Sequence, residues 1–499
     1  MELNRALEAL KELETTLHAY RHAMGVLTYD GETVAPRNSA AGRGDTLALL
    51  SGVEHDLMTR PATKALLDEL EAQKDALSHT DRRRVELLRE ESDDLTLVPA
   101  KEYMDYQSLL ANAQAVWHDA KLSSDYAAFA PYLEKIIAYN RRFAERKNAQ
   151  MKPYDALLDT YEKGARMETL DPFFRLLQTE LTPLILEIGK RPAPDTSFLR
   201  QSFPIAQQRV FSERLMDIMG ISRDDCAIGE TEHPFTDGYN KHDVRITTHY
   251  FEGEVLSNMY SVIHEGGHAL YELGSGDALE GTVLAGGATM GIHESQSRFY
   301  ENIIGRSLPF CRAVLPVMQE LFPAQLAGVT PEALYRAVNL AQPSLIRTEA
   351  DELTYGLHVR VRYELEKGMI SGELSVKDLP GEWNKRMKEA LGVEVPDDRR
   401  GVLQDSHWSG GLVGYFPSYA LGSAYGVQML EQMQKTVDVW GSVERGDLRP
   451  VTEWLRERIH RHGCLLTPAE LLQSAMQAPF DPSRYTEYLK KKFSALYAL

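Results

Sequence analysis

One stretch, Tyr260-Ser-Val-Ile-His-Glu-Gly-Gly-His-Ala-Leu-Tyr-Glu-Leu273, limits what this chain can fold into more than any other. Inside it lies His264-Glu265-X-X-His268. Residues four apart on a helix share a face, so both imidazoles can reach one point. Val262, Ile263, Ala269, Leu270 and Leu273 supply the apolar positions that bury the rest of such a helix. Imidazole nitrogens suit zinc, which in catalytic sites takes three protein ligands and leaves a fourth position to water. Glu265, one residue past the first histidine, is placed to act as the general base on that water. Two helical histidines flanking an exposed glutamate have the same spacing, but the two glycines between them weigh against so plain a reading. Each costs a helix interior about 1 kcal/mol relative to alanine, so Gly266 and Gly267 predict a close approach of another backbone.

A zinc pair needs a third ligand, and the next segment offers one. A glycine-rich connection (Gly274, Gly276, Gly281, Gly286, Gly287, Gly291) lacks the Gly-Lys-Ser/Thr ending of a phosphate loop and reads as turns. It leads into Gly291-Ile-His-Glu-Ser-Gln-Ser-Arg-Phe-Tyr-Glu-Asn302, a second helix that would bring a carboxylate beside the histidines. Glu294 is the natural third ligand, with His293, Glu301 and Glu272 as competitors. Some further residue should hold the imidazoles from behind.

The remainder of the chain frames this site. At 499 residues, 43% hydrophobic and 26% charged, the composition is that of a globular protein with ample length for a large core. A formal charge of −18 argues against nucleic acid as a partner, though a local field can still favour an anionic substrate. Three cysteines in no pairing or metal-like spacing suggest a reducing compartment and buried, inert thiols. The opening Met-Glu-Leu-Asn-Arg-Ala has no apolar leader core and no run approaches the roughly 20 apolar residues of a membrane span. A cytoplasmic protein without membrane contact is expected.

Residues 1–190 read as nearly all helix, broken around Gly31–Gly44, with the charge runs Arg82-Arg83-Arg84 and Glu90-Glu91 as solvated faces. This half carries no chemical motif and is expected to form the wall and cover of a groove, with the metal site in 191–499 of a single 1–499 domain. Lys190-Arg-Pro-Ala-Pro-Asp195 is the best hinge candidate. Asp243–Tyr250 alternates as a strand, and as an edge strand it would pair with an extended peptide. Leu345–Tyr363 reads as a long amphipathic helix on which Arg347 and Asp351 form a surface pair or, alternatively, Arg347 faces the groove. Tyr415 and Tyr419, on a glycine-hinged connection, are candidate donors to a developing oxyanion, or simply packing. The last 50 residues read as amphipathic helices.

Taken together, five motifs in order resemble the carboxypeptidase Taq type of metallocarboxypeptidase. They are Asp243-X-Arg245-X-Thr247, His264-Glu265-X-X-His268, His293-Glu294-Ser295-Gln296, Ile346-Arg347-X-X-Ala350-Asp351 and Gly401-X-X-Gln404-Asp405-X-His407-Trp408. The second is shared by many unrelated metalloproteases; the set, spanning Asp243 to Tyr425, is specific. The resemblance implies a mainly α, helical zincin-like metallopeptidase with a deep groove and a small β-sheet beside the active site, usually a homodimer. Such enzymes release C-terminal residues one at a time from peptides with a free C-terminus, with broad side-chain preference and poor tolerance of proline. It implies one Zn2+ per chain (Co2+ as a possible substitute) on His264, His268 and Glu294, with Glu265 as base. It further implies Arg347 as anchor of the substrate carboxylate, Tyr419 or Tyr415 as oxyanion donor with Tyr419 favoured, and Arg245 and His407 as further site residues. An oligopeptide endopeptidase of similar fold, or a zinc protein that binds peptides without cleaving them, is the alternative.

Overall fold

The computed structural model describes residues 3–499; Met1 and Glu2 of the opening hexapeptide lie outside them. Helices dominate. The N-terminal ones are α1 (Leu3–Thr33), α2 (Ala40–Thr59), α3 (Pro61–Ala72), α4 (His79–Thr96), α5 (Ala100–Ser123), α6 (Tyr126–Lys147), α7 (Pro153–Tyr161), α8 (Met167–Ile188) and α9 (Ile205–Met219). Local chemistry sets several of their starts: Pro61 and Pro153 occupy first turns, where a missing N–H costs nothing, and Ser78 and Asp125 cap α4 and α6. The first four helices share a small apolar cluster around Leu10, Leu17, Met58, Leu67 and Leu88. A second, continuous core runs from Val98 to Tyr497.

Three short strands come next: β1 (Cys226–Glu230), β2 (Thr236–Asn240) and β3 (Asp243–Thr248). They form one sheet in the order β1-β3-β2, with β1 parallel and β2 antiparallel to β3. The strand read from Asp243 is therefore central, not an edge: both sides of its backbone are already hydrogen-bonded, so it has none left for a peptide. The edge strand β2 touches the metal-type helix, where the Thr236 hydroxyl donates to the Glu265 carbonyl oxygen. Then come α10 (Val255–Leu273), α11 (Met290–Arg298), which runs on as a π-helical turn over Phe299–Ile304, α12 (Leu308–Leu321), α13 (Pro331–Val338), α14 (Glu352–Ser371), α15 (Leu379–Leu391) and α16 (Pro417–Met433). Four helices between Val439 and Tyr497 close the fold. Among the described residues, no helix is long and apolar enough to cross a membrane.

Several expectations shift. The helix expected from Leu345 begins only at Glu352, because the Asp351 carboxylate accepts the amides of Leu353 and Thr354 and so starts the helix after itself. Arg347 sits in a preceding 3₁₀ turn, Arg347–Glu349, and the Arg347–Asp351 surface pair does not form. The break around Gly31–Gly44 shrinks to Val34–Ser39, since α1 continues through Gly31 and α2 starts at Ala40. The charge runs are only partly solvated: Arg82 is exposed, but Arg84 pairs with the buried Glu14 of α1, and Glu91 pairs with Arg21. These pairs tie α4 to α1. Cys226 and Cys311 are buried and unpaired, and burial pushes both thiols up to about 12.

Of the two glycines of α10, Gly267 meets another backbone as expected, whereas Gly266 meets only side chains. A Cβ at Gly267 would lie 2.7 Å from Ser297 Cα and 2.8 Å from the Gln296 carbonyl oxygen, both backbone atoms of α11. At Gly266 it would strike Met219 Sδ at 2.7 Å. Gly267→Ala should therefore destabilise the protein by about 1–3 kcal/mol, because two backbones must separate. Gly52→Ala, on the open face of α2 with nothing within 4 Å, should instead stabilise by roughly 0.5–1 kcal/mol. Denaturant unfolding of the two variants decides; equal effects would mean that the α10–α11 contact is not tight.

Candidate active site

On α10 the two histidines project from one face, and α11 comes against that face across Gly267. Gly422 of α16 permits the same closeness to α11, since a Cβ there would lie 2.9 Å from the backbone of Glu294. One potential ligand atom from each of His264, His268 and Glu294 lies within 4.8 Å of the others. Glu294 Oε2 is 3.7 Å from His264 Nε2 and 3.5 Å from His268 Nε2. No other group of three metal-type side chains converges in this way among the described residues.

The competitors for the third position stand behind the imidazoles. Glu301, set by the π-helical turn, meets His264 Nδ1 at 2.8 Å. His293 Nδ1 meets His268 Nδ1 at 2.6 Å, and His293 Nε2 reaches Glu272 Oε1 at 2.7 Å. His268 and His293 can donate along this chain and His264 can donate to Glu301, an arrangement that directs both Nε2 atoms toward Glu294. The other oxygen of Glu294 accepts from Arg298 Nε at 2.7 Å, and Arg298 also contacts Glu301. Glu294, Arg298 and Glu301 are spaced i, i+4, i+7 on one face.

Charge explains why such a cluster suits a cation. Burial opposes a charge on His264, yet Glu294, Glu301 and Glu265 outweigh it and raise its pKa to about 9. Burial dominates at His268, lowering it to about 3. Burial alone would raise Glu294, but Arg298 and the histidines hold its carboxylate well below the usual range. Two imidazoles and a carboxylate, ringed by further acids, form a donor set that fits a divalent ion. Glu265, buried and thereby raised in pKa, faces the strand side, where the Thr236 hydroxyl lies 2.7 Å from its Oε2.

A second, cationic cluster adjoins the first. Arg347 is 6% exposed: its Nε donates to Asp405 Oδ1 at 3.0 Å and its Nη1 to the Tyr355 hydroxyl at 3.0 Å. Arg362, fully buried, donates from Nε to the other oxygen of Asp405 at 2.7 Å. The Tyr419 ring lies 4.8 Å from the Arg347 guanidinium, and its hydroxyl is 3.1 Å from His407 Nε2. Tyr415 packs edge-on against Tyr419 at 5.3 Å. Arg298 sits 4.1 Å over the face of Tyr355, so one tyrosine joins the two clusters. Arg245 is placed elsewhere: it is bidentate to Asp243 and lies 5.1 Å from the rings of both Tyr29 and Tyr239, where β3 meets α1.

The family model of the carboxypeptidase Taq (M32) metallopeptidases matches residues 9–493. The chain belongs to this family. It is 38% identical to carboxypeptidase 1 of Bacillus subtilis over 501 residues, covering all of both chains. A solved M32 carboxypeptidase from Deinococcus radiodurans superposes with a TM-score of 0.96 at 35% identity, over 99% of this chain and all of that one. Trypanosoma cruzi metallocarboxypeptidase 1 does so at 0.94 and 32%, over 98% of this chain and 99% of its own. The enzyme is thus a carboxypeptidase, a peptide hydrolase acting at C-termini, of a family that uses a divalent metal.

Sequence reasoning does not single out Arg298, Tyr355 or Thr236 of this carboxypeptidase. Arg298 has a signal, four residues after Glu294 on the same helix; Thr236 has none. Removing a partner of a ligand imidazole should weaken metal binding by roughly 10- to 100-fold. Glu301→Ala and His293→Ala should each show this by chelator competition, with no change expected for Glu280→Ala on the nearby loop.

Proposed function

We propose that the enzyme is a zinc carboxypeptidase whose ion is held by His264, His268 and Glu294 and whose general base is Glu265, with residues 1–190 walling and covering the groove and 191–499 carrying the chemistry. Two nitrogens and one oxygen favour zinc, with cobalt as a substitute. A divalent ion held there supplies Lewis acidity, which lowers the pKa of water and draws charge from a carbonyl oxygen. Glu265 removes the proton from the attacking water and delivers it to the departing amine. The Thr236 hydroxyl fixes the orientation of that carboxylate. Tyr419 is the favoured oxyanion donor, with Tyr415 the alternative, and His407 Nε2 stands 3.1 Å from the Tyr419 hydroxyl.

The observation that carries the exopeptidase reading is a charge imbalance. Arg347 and Arg362 are both buried and share the single carboxylate of Asp405. The other buried acid beside Arg362, Glu366, is occupied by Trp408, Tyr154 and the Gly414 amide, and burial raises its pKa to about 7, so it offsets the second arginine only in part. A buried cation without a counter-ion is costly, and a substrate's terminal carboxylate would balance it. Broad side-chain preference results from recognising that carboxylate and the backbone, which every peptide shares.

Glu265→Gln should retain one metal ion per chain by elemental analysis and lose about 10²- to 10⁴-fold in kcat. Wild-type turnover in that variant would remove Glu265 from the mechanism. Arg347→Ala leaves Arg362 and Asp405 as a neutral pair, so the surplus charge disappears without exposing a new one. It should lower kcat/KM for free-acid peptides by roughly 30-fold or more, from a lost contact of about 2–5 kcal/mol. C-terminally amidated peptides give the internal control, because wild type should cut them poorly and the variant should barely distinguish acid from amide. A full acid-over-amide preference in the variant would remove Arg347 from carboxylate recognition.

A further inference from the structure

The N-terminal half reaches the helix that carries Glu294 at the end of α7. Glu162, just past Tyr161, is 4% exposed, and its Oε2 accepts the Gly291 amide at 2.8 Å. Gly291 lies in the first turn of α11, the helix that carries Glu294. A Cβ at Gly291 would stand 2.5 Å from Glu162 Oε2, so a glycine is what lets the carboxylate come this close. The hydroxyls of Thr289, which caps the helix, and Tyr425 on α16 face the same carboxylate. The preceding residue, Tyr161, packs edge-on against Tyr415 at 5.2 Å. Tyr161 also lines a 580 Å³ cavity with Tyr103, Tyr139, Phe143, Met290 and His293. From behind, Asp159 holds the turn by accepting from Gly164 N and Arg166.

We infer that Glu162 is a positioning residue for the reaction: it fixes the start of α11, and so sets where Glu294 meets the two histidines. A negative group at a helix N-terminus satisfies amides that have no partner within the helix and interacts favourably with its dipole. Here the helix concerned has only nine residues from Met290 to Arg298, and Glu294 is its fifth. Gly291 and Glu294 are three positions apart, within one turn, so the contact at Gly291 bears directly on the turn that carries Glu294. No element of the C-terminal half replaces this contact, so the half without chemistry of its own holds the ligand helix in register. Burial pushes the pKa of Glu162 up to about 7, so a neutral amide at this position stays near the native state and keeps an oxygen for the Gly291 N–H.

The inference rests on Glu294 being a metal ligand, and the test separates the two. Zn2+ dissociation constants, measured against a chromophoric chelator, are compared with kcat and KM for a short peptide. Glu162→Ala should raise the Zn2+ Kd and lower kcat by about 10-fold each with KM nearly unchanged, and Glu162→Gln should recover most of both. Gly291→Ala should reproduce the loss from the other side of the contact. The double variant Glu162→Ala/Gly291→Ala should cost less than the sum of the two, because they break one interaction. A folded Glu162→Ala with wild-type Kd and kcat overturns the inference. If that variant does not fold, Gly291→Ala decides, and wild-type values there overturn it equally. Glu294→Ala is run alongside: retained Zn2+ sinks the ligand reading, whereas lost Zn2+ with an unaffected Glu162→Ala sinks only the positioning role.

Discussion

The active site depends on how closely two helical backbones approach. Gly267 lets α10 lie against Ser297 and Gln296 of α11, and Gly422 lets α16 lie against Glu294 and Ser295 of the same helix. The helix that carries Glu294 thus packs against two backbones with no side chain to act as a spacer. Rotamer freedom has little room to act, since Ser295, Gln296 and Ser297 are all fully buried around it. A carboxylate held in this way meets two imidazoles at a distance fixed by main-chain contact, and packed cores resist continuous deformation. The cost of two glycines in a helix interior is what allows that geometry.

Around this clamp the charges are sorted into two neighbouring fields of opposite sign. Acids gather about the histidines (Glu265, Glu272, Glu294, Glu301), and two arginines gather about Asp405. Arg298 and Tyr355 stand between them, the guanidinium on the ring face and the phenol oxygen accepting from Arg347. A peptide's penultimate residue offers a carbonyl to be polarised and its last residue, one position on, a carboxylate to be bound. An acidic pocket that attracts a cation, next to a cationic pocket that attracts an anion, matches that pair of groups. The overall charge of −18 has no bearing on it, because buried charges respond to their nearest neighbours.

How much of this is legible in the sequence depends on whether the relevant interaction is local along the chain. The α10 helix, its glycines and the approach to α11 can be read because spacing on one helix determines a shared face. The start of α14 cannot, because periodicity from Leu345 to Tyr363 is blind to an aspartate that caps the turn after it. Arg347 looks like half of a surface ion pair with Asp351, yet each residue finds a stronger partner elsewhere: Asp405 lies 58 positions away from Arg347, and Asp351 takes backbone amides. β3 alternates as any half-buried strand does, and nothing in its own residues reports that β1 and β2 flank it. Glu301 and His293 have the right chemistry for ligands. Their role as partners of the ligands turns on which side of an imidazole they reach, which is a property of tertiary packing.

Long-range contacts of this kind also change how the N-terminal half is understood. By motif it is inert, and by charge pattern it looks like solvated helix. Yet Arg84 and Arg21 bind α4 to α1 through acids, and the chain beyond α7 delivers Glu162 to the ligand helix. A wall that only excluded water would need apolar residues at that contact and would gain nothing from a buried carboxylate, whose desolvation is unfavourable. The carboxylate makes sense where it replaces water at the amides of a short helix that must not move. Burying an acid at the base of the ligand helix, and a surplus arginine at the far side of the site, both lower stability locally. Each is sustained by the surrounding core, the one beside the helix that carries Glu294 and the other in the cluster around Asp405.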